Sequence, residues 1–258
     1  MNQARIGTVH LNVADQNKLI NFYENTIGLQ LHRKDGDIAY MGVGEDDLLA
    51  LHHTPDYKRY RNATGLYHFA LLLPTRRDLA LVLQHFAGTQ TRLQGLSDHI
   101  VSEAIYLADP EGNGIEVYWD KPRQEWFDDN NQMQLATIPL NVNSLMSELD
   151  ETSSFTGLPK GTIMGHIHLH VNSVEETEAF YTQKLGMDTM FNIGSAAFIA
   201  YDGYHHHIGL NIWGGRALAP DDALGLRHYV LYADDTSLGD TISDPANNHI
   251  ILVQHEPA

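Results

Sequence analysis

The 258 residues include no cysteine. Disulfides, thiolate metal sites and cysteine nucleophiles are therefore excluded, and any metal has to be held by His, Asp or Glu. Basic residues are scarce as well: 16 Lys and Arg stand against 33 Asp and Glu, a formal charge of −17. That balance argues against a nucleic-acid partner, because phosphate recognition needs clustered Lys and Arg, and against an anionic membrane surface for the same reason. No apolar run approaches a membrane-spanning length, and the opening stretch MNQARIGTVHLNV lacks the apolar core and small-residue site of a secretion signal. A cytoplasmic location is the expectation. What the chain does have is 43% hydrophobic residues, enough to bury a substantial core, and 16 histidines.

An internal repeat organises the sequence. A shift of 158 residues lays IGTVHLNV (Ile6 to Val13) over MGHIHLHV (Met164 to Val171), matching Gly7 with Gly165, His10 with His168 and Leu11 with Leu169. The same shift matches Phe22-Tyr23 with Phe180-Tyr181 and Gly28 with Gly186. Each copy reads as a strand, a helix closed by a glycine, then further strands. A related unit follows each copy: TGLYHFALLLP resembles LGLRHYVLYAD, aligning His68 with His228. The second unit then has room for a helix between His68 and Asp109, whereas the short span from His228 to Asp244 predicts that the fourth has lost its helix. Residues 121–161 are polar and read as a connector. The expected organisation is a first domain over 1–125, a connector over 126–160 and a second domain over 161–258.

Candidate ligands sit on predicted strands. Alternation places His166, His168 and His170 on one face and Ile167, Leu169 and Val171 on the other. His10 recurs at the repeat position of His168. His68 lies between LY and FALLL, and Glu116, in GIEVYW, points away from Ile115 and Val117 and would need a cation or strong donor if it faced an interior. A single histidine on a strand most often faces solvent; three on one face, with His10 repeating, favour a site. Three consecutive histidines in DGYHHHIGLNIW lie too far from either terminus to be a tag.

GLYHFALLLP, SDHIVSEAIYLADPEGNGIEVYWDKPRQEW, MGHIHLHV and GYHHHIGLNIW together resemble the vicinal-oxygen-chelate superfamily, most of all its two-domain catechol 2,3-dioxygenases of the extradiol type. The resemblance implies an α+β fold of four βαβββ-type modules paired into two open barrels, the fourth module shortened. It implies a metal held by His68, Glu116 and a third histidine. That third ligand is His168 if the second and third units pair, which the triple histidine in unit three favours, and His10 if the first and second pair. Fe(II) is the implied metal, with Mn(II) or Zn(II) as alternatives, because two imidazoles and one carboxylate leave open positions. The substrates implied are a small aromatic diol and O2.

The HH pair of extradiol enzymes suggests a histidine that moves protons over the substrate: His207 first, on strand alternation, with His206 in reserve. Tyr106, ten residues before Glu116, matches a tyrosine that hydrogen-bonds substrate in such enzymes, and His99 is a further acid–base candidate. A glyoxalase-like isomerase or lyase is disfavoured because no Asp or Glu occurs from Gly203 to Gly215 to supply a second carboxylate. A non-catalytic binding protein of the bleomycin-resistance kind would not need the His68 and Glu116 pair, while the shortened fourth unit suggests a third reading, a relic with an empty site. Self-association into a homo-oligomer stays open.

Overall fold

The structure, a computed structural model, describes residues 5–255. The first unit is β1 (Ile6–Val13), α1 (Gln16–Phe22), β2 (Gln30–Asp35), β3 (Ile38–Val43) and β4 (Asp46–His53); the second is β5 (Gly65–Leu72), α2 (Arg76–Gly88), β6 (Leu93–Asp98), β7 (Ser102–Ala108) and β8 (Gly114–Asp120). The connecting stretch holds a short 3-10 turn (Arg123–Trp126), β9 (Ile138–Pro139) and α3 (Val142–Met146). The third unit repeats the order: β10 (Ile163–His170), α4 (Val174–Leu185), β11 (Asp188–Asn192), β12 (Ala196–Ala200) and β13 (Ile208–Asn211). The fourth is β14 (Gly225–Ala233), β15 (Thr241–Ser243) and β16 (His249–Gln254), with no helix, so the α+β reading with a shortened fourth unit holds.

Local chemistry fixes the helices. Asp15, Thr75 and Ser173 each accept a backbone N–H at a helix start, satisfying donors the helix leaves unpaired. Gly28 and Gly186, the repeat-matched pair, end their helical segments at φ +90° and +68°, a conformation that costs glycine little.

The strands form two mixed sheets. One runs β15-β16-β14-β1-β4-β3-β2 and the other β11-β12-β13-β10-β5-β8-β7-β6-β9. Unit one therefore shares a sheet with unit four, and unit two with unit three. The expected spans 1–125 and 161–258 do not coincide with this division, since each contributes to both sheets. Sheet pairing is decided where first strands meet: β1 lies antiparallel to β14, and β10 antiparallel to β5. Units adjacent in sequence are joined differently. Tyr23 of unit one donates its hydroxyl to Asp109 of unit two (2.8 Å), and Tyr181 of unit three donates to Asp244 of unit four (3.1 Å). The repeated Phe-Tyr and Asp-Pro motifs are thus one device, used twice, to lock a helix to the following unit's last loop.

A single apolar cluster joins both sheets through Val9, Leu11, Ile167 and Leu169. The apolar face of each first strand is buried there, which leaves the histidine face of each turned the other way. Among the described residues no helix is long and apolar enough to cross a membrane.

Candidate functional site: a buried His-Glu-His group under an aromatic cavity

In the nine-stranded sheet β10, β5 and β8 lie side by side, with His166 opposite Ala70 and Ala70 opposite Glu116. The small Ala70 side chain lets the two flanking polar groups reach one another over it. His166 Nε2 lies 3.0 Å from Glu116 Oε2, and His68 Nε2 lies 3.0 Å from the same oxygen. Ligand atoms of His68, Glu116 and His166 all fall within 4.8 Å of one another, and among the described residues this is the group that does so. All three side chains are buried.

His168, the third ligand expected from sequence, is not in that group. It sits one row along, opposite His68, with its ring over Gly209. Alternation gave His166, His168 and His170 the same face but could not rank them; cross-strand register and the small residue at position 70 do. His10, the alternative, lies in the other sheet. His168 lines the cavity instead, where its Nε2 is buried without a hydrogen-bond partner. A Cβ on Gly209 would lie 2.7 Å from the His168 ring, so Gly209→Ala should displace that imidazole and cost about 1–3 kcal/mol by overpacking. A lowered melting midpoint would check this; an unchanged one would show that the ring is free to move.

The electrostatics suit a cation. Burial by itself would raise the Glu116 carboxyl, but His166 and His68 outweigh it and hold it well below the usual carboxylate range. Burial pushes His166 down despite Glu116, and pushes His168 further down with help from His68. Neutral imidazoles beside an ionised carboxylate are the protonation states in which these groups bind metal. His68 Nε2 is buried and makes no hydrogen bond, although Glu116 is close. A ring nitrogen left unpaired in such a place costs free energy unless something else meets it.

Above the group lies a cavity of about 590 Å³, lined by Tyr67, Phe191, Phe198 and Trp213 as well as by His206 and Tyr106. The aromatic walls fit a planar ring. Glu116 is the only acidic residue on the lining among the described residues. Tyr106 donates to His99 Nε2 (2.8 Å), because His99 Nδ1 is committed as donor to the Ala136 carbonyl (2.8 Å). Burial and then the Glu116 charge hold the Tyr106 phenol well above its ordinary value, so it keeps its proton.

His207, the histidine preferred from sequence, does not line the cavity. It is buried beneath, where its Nδ1 accepts from the Tyr201 N–H (3.2 Å) and its ring packs on Tyr204. The reason is local. β13 begins only at Ile208, and the three histidines follow a turn with Asp202 and Gly203 at φ +57° and +62°, so strand alternation does not apply to them.

His206 faces the cavity, its ring centroid 4.1 Å from that of His166. His205 bridges outward: its Nε2 is 2.9 Å from Asp120 Oδ1 and its Nδ1 is 2.8 Å from His206 Nδ1. Tyr204 donates to the other Asp120 oxygen (2.8 Å). The pairing of His205 with Asp120 could not be read from the sequence, since nothing along the chain links positions 85 residues apart.

Comparisons with known proteins converge on one family. Residues 5–117 match the model of the glyoxalase/bleomycin resistance protein/dioxygenase superfamily. The chain is 42% identical over 234 residues to catechol-2,3-dioxygenase of Bacillus subtilis (strain 168), an alignment covering 88% of this chain and 81% of that one. Two crystal structures share the fold. One is from Bacillus subtilis subsp. subtilis str. 168 (TM-score 0.66, 13% identity, 99% of this chain and 87% of that one). The other is glyoxalase I from Zea mays (TM-score 0.59, 14% identity, 97% and 92%). The paired modules, the shared histidine face and the extended identity to a dioxygenase carry one conclusion: the chain belongs to the glyoxalase/bleomycin resistance protein/dioxygenase superfamily.

Proposed function

We propose that the chain is a metal-dependent extradiol dioxygenase that opens the ring of a catechol-type substrate with O2. The observation that carries this reading is the buried His68, Glu116 and His166 group at the base of an aromatic-walled cavity, in a chain 42% identical to a catechol-2,3-dioxygenase. The donors fit a divalent ion: two imidazoles and one carboxylate, with His68 Nε2 buried and unpaired. Fe(II) is the metal proposed, since this donor set is the one associated with oxygen-activating non-haem iron; Mn(II) and Zn(II) satisfy the same ligands. When bound, the ion supplies a Lewis acid and redox centre at which the diol and O2 are brought together.

The chain's own residues do the rest. Tyr67, Phe198 and Trp213 hold the ring and exclude water. His206 takes the proton that a catechol hydroxyl gives up. Its tautomer follows from the hydrogen bonds behind it. The Asp120 carboxylate can only accept, so His205 donates from Nε2, which leaves His205 Nδ1 as an acceptor. His206 must then donate from Nδ1, and its Nε2 is the nitrogen free to take a proton. Burial, then His166 and His205, hold His206 well below its ordinary value, so it waits in the neutral form a base requires. Tyr106, protonated and donating to His99, keeps oxygen lone pairs with which it can accept from a substrate hydroxyl. The absence of cysteine suits the cytoplasmic location we assign to this activity.

The test is anaerobic loading with Fe(II), then addition of catechol and O2 while the yellow ring-opened product is followed by absorbance. Wild type should turn over. His166→Ala should lose both metal and turnover; His168→Ala should keep the metal and raise KM. Failure of iron-loaded wild type to form product from any catechol would overturn the reading, and metal loss in His168→Ala but not His166→Ala would reverse the ligand assignment.

A further inference from the structure

The seven-stranded sheet carries its own group of histidines. His10 on β1 and His228 on β14 are cross-strand neighbours, in the same register relation that joins His168 and His68 in the other sheet. β4 runs parallel to β1 on its other side, with His52 next to Asn12. Val9, Leu11 and Val13 are committed to the core, so His10 and the side chains level with it face away from it. His10 Nδ1 lies 2.9 Å from His52 Nε2, and the His10 and His228 rings stack with centroids 4.0 Å apart. Three imidazoles, none of which the proposed ring cleavage uses, lie side by side on three adjacent strands, with the His52 and His228 ring centroids 6.1 Å apart.

We infer that His10, His52 and His228 form a second metal site, which takes a borderline divalent transition ion such as Zn(II) or Co(II). The position that holds Glu116 in the other sheet is occupied here by Ile251: Glu116 is registered with Ala70 two residues past His68, and Ile251 with Val230 two residues past His228. Without a carboxylate the donor set is all nitrogen, which suits ions that bind imidazole strongly and disfavours hard ions that need oxygen. Burial first, and then the neighbouring histidines and Arg227, press His10 down to about 3. Burial and then Arg227 press His52 down to about 4, and burial, then His52 and Arg227, press His228 down to about 4. All three are neutral at physiological pH, with lone pairs available and no proton to expel. The proton shared between His10 and His52 needs only to move to another ring nitrogen of the same side chain. His228 now stacks flat on His10, so its ring must turn for its nitrogen to join the other two.

Metal stoichiometry decides the matter. Chelator-treated protein is dialysed against Zn(II) and the bound metal counted, with Co(II) visible absorption as a second readout. Wild type should bind two ions per chain, Glu116→Ala one, His52→Ala one and the double variant none. One ion in wild type together with none in Glu116→Ala would overturn the proposal, as would two in His52→Ala. Should His52→Ala fail to fold, as shown by its metal-free melting midpoint, His228→Gln takes its place, and the wild-type and Glu116→Ala counts stand without either. One ion in both wild type and Glu116→Ala would support this site while removing the one beneath the cavity.

Discussion

Glu116→Ala is expected to strip the cavity site of its metal and abolish ring cleavage together. The carboxylate is one of only three donors in the group and its only anion, so its loss leaves two imidazoles, too few protein ligands to hold a divalent ion tightly. Loss of a residue that merely supports a ligand typically weakens metal binding by about 10–100-fold, so loss of the anionic ligand should exceed about 100-fold. Metal analysis after anaerobic loading and oxygen uptake with catechol measure the two effects. Stoichiometric metal at the cavity site in Glu116→Ala would remove it from the ligand set. The metal-free protein offers an independent reading through pH. His166 and His68 hold the folded carboxyl well below its usual value although burial opposes them. The ionised group therefore contributes stability that is present above the ordinary carboxyl value, about 4.3, and lost as pH falls through the lower folded one. Glu116→Gln should flatten that acid limb of the stability curve.

Substitution of the histidines behind the substrate should separate proton transfer from metal binding. His206→Ala should lower kcat by roughly 100- to 10,000-fold, the range for a lost general base, with the metal content unchanged. His205 does not line the cavity and acts only through His206. His205→Gln keeps an amide N–H for Asp120 and an amide oxygen for His206, whereas His205→Leu keeps neither. Turnover in His205→Leu should fall by at least about tenfold, with KM held, while His205→Gln retains most of it. Equal activity in the two would show that His205 is packing and nothing more. Asp120→Asn should follow His205→Leu, because an amide in that position no longer dictates which His205 nitrogen carries the proton.

The repeat, the shortened fourth unit and the histidine face of each first strand could all be read from the sequence, because strand alternation and turn residues are local properties. Phe-Tyr and Asp-Pro were visible as recurring motifs, but their joint role, Tyr23 on Asp109 and Tyr181 on Asp244, needed the fold. His68 and Glu116 could be singled out as polar residues stranded among apolar neighbours, and the structure brings these two together. His166 could not be chosen over His168, since both obey the same period of two and differ only in what stands opposite: Ala70 in one case and His68 in the other. Likewise His207 looked right only while the three histidines were taken as a strand; the turn at Asp202 and Gly203 hands the cavity to His206.

Composition and periodicity, then, determined by themselves which residues were candidates to bind metal and on which face of each first strand they lie, because those depend on side-chain chemistry and backbone geometry within a few residues. Which strands meet was settled only by the tertiary structure, through burial of apolar faces between units far apart in the chain. That pairing joined units two and three into one site and left His10, His52 and His228 gathered in the other sheet.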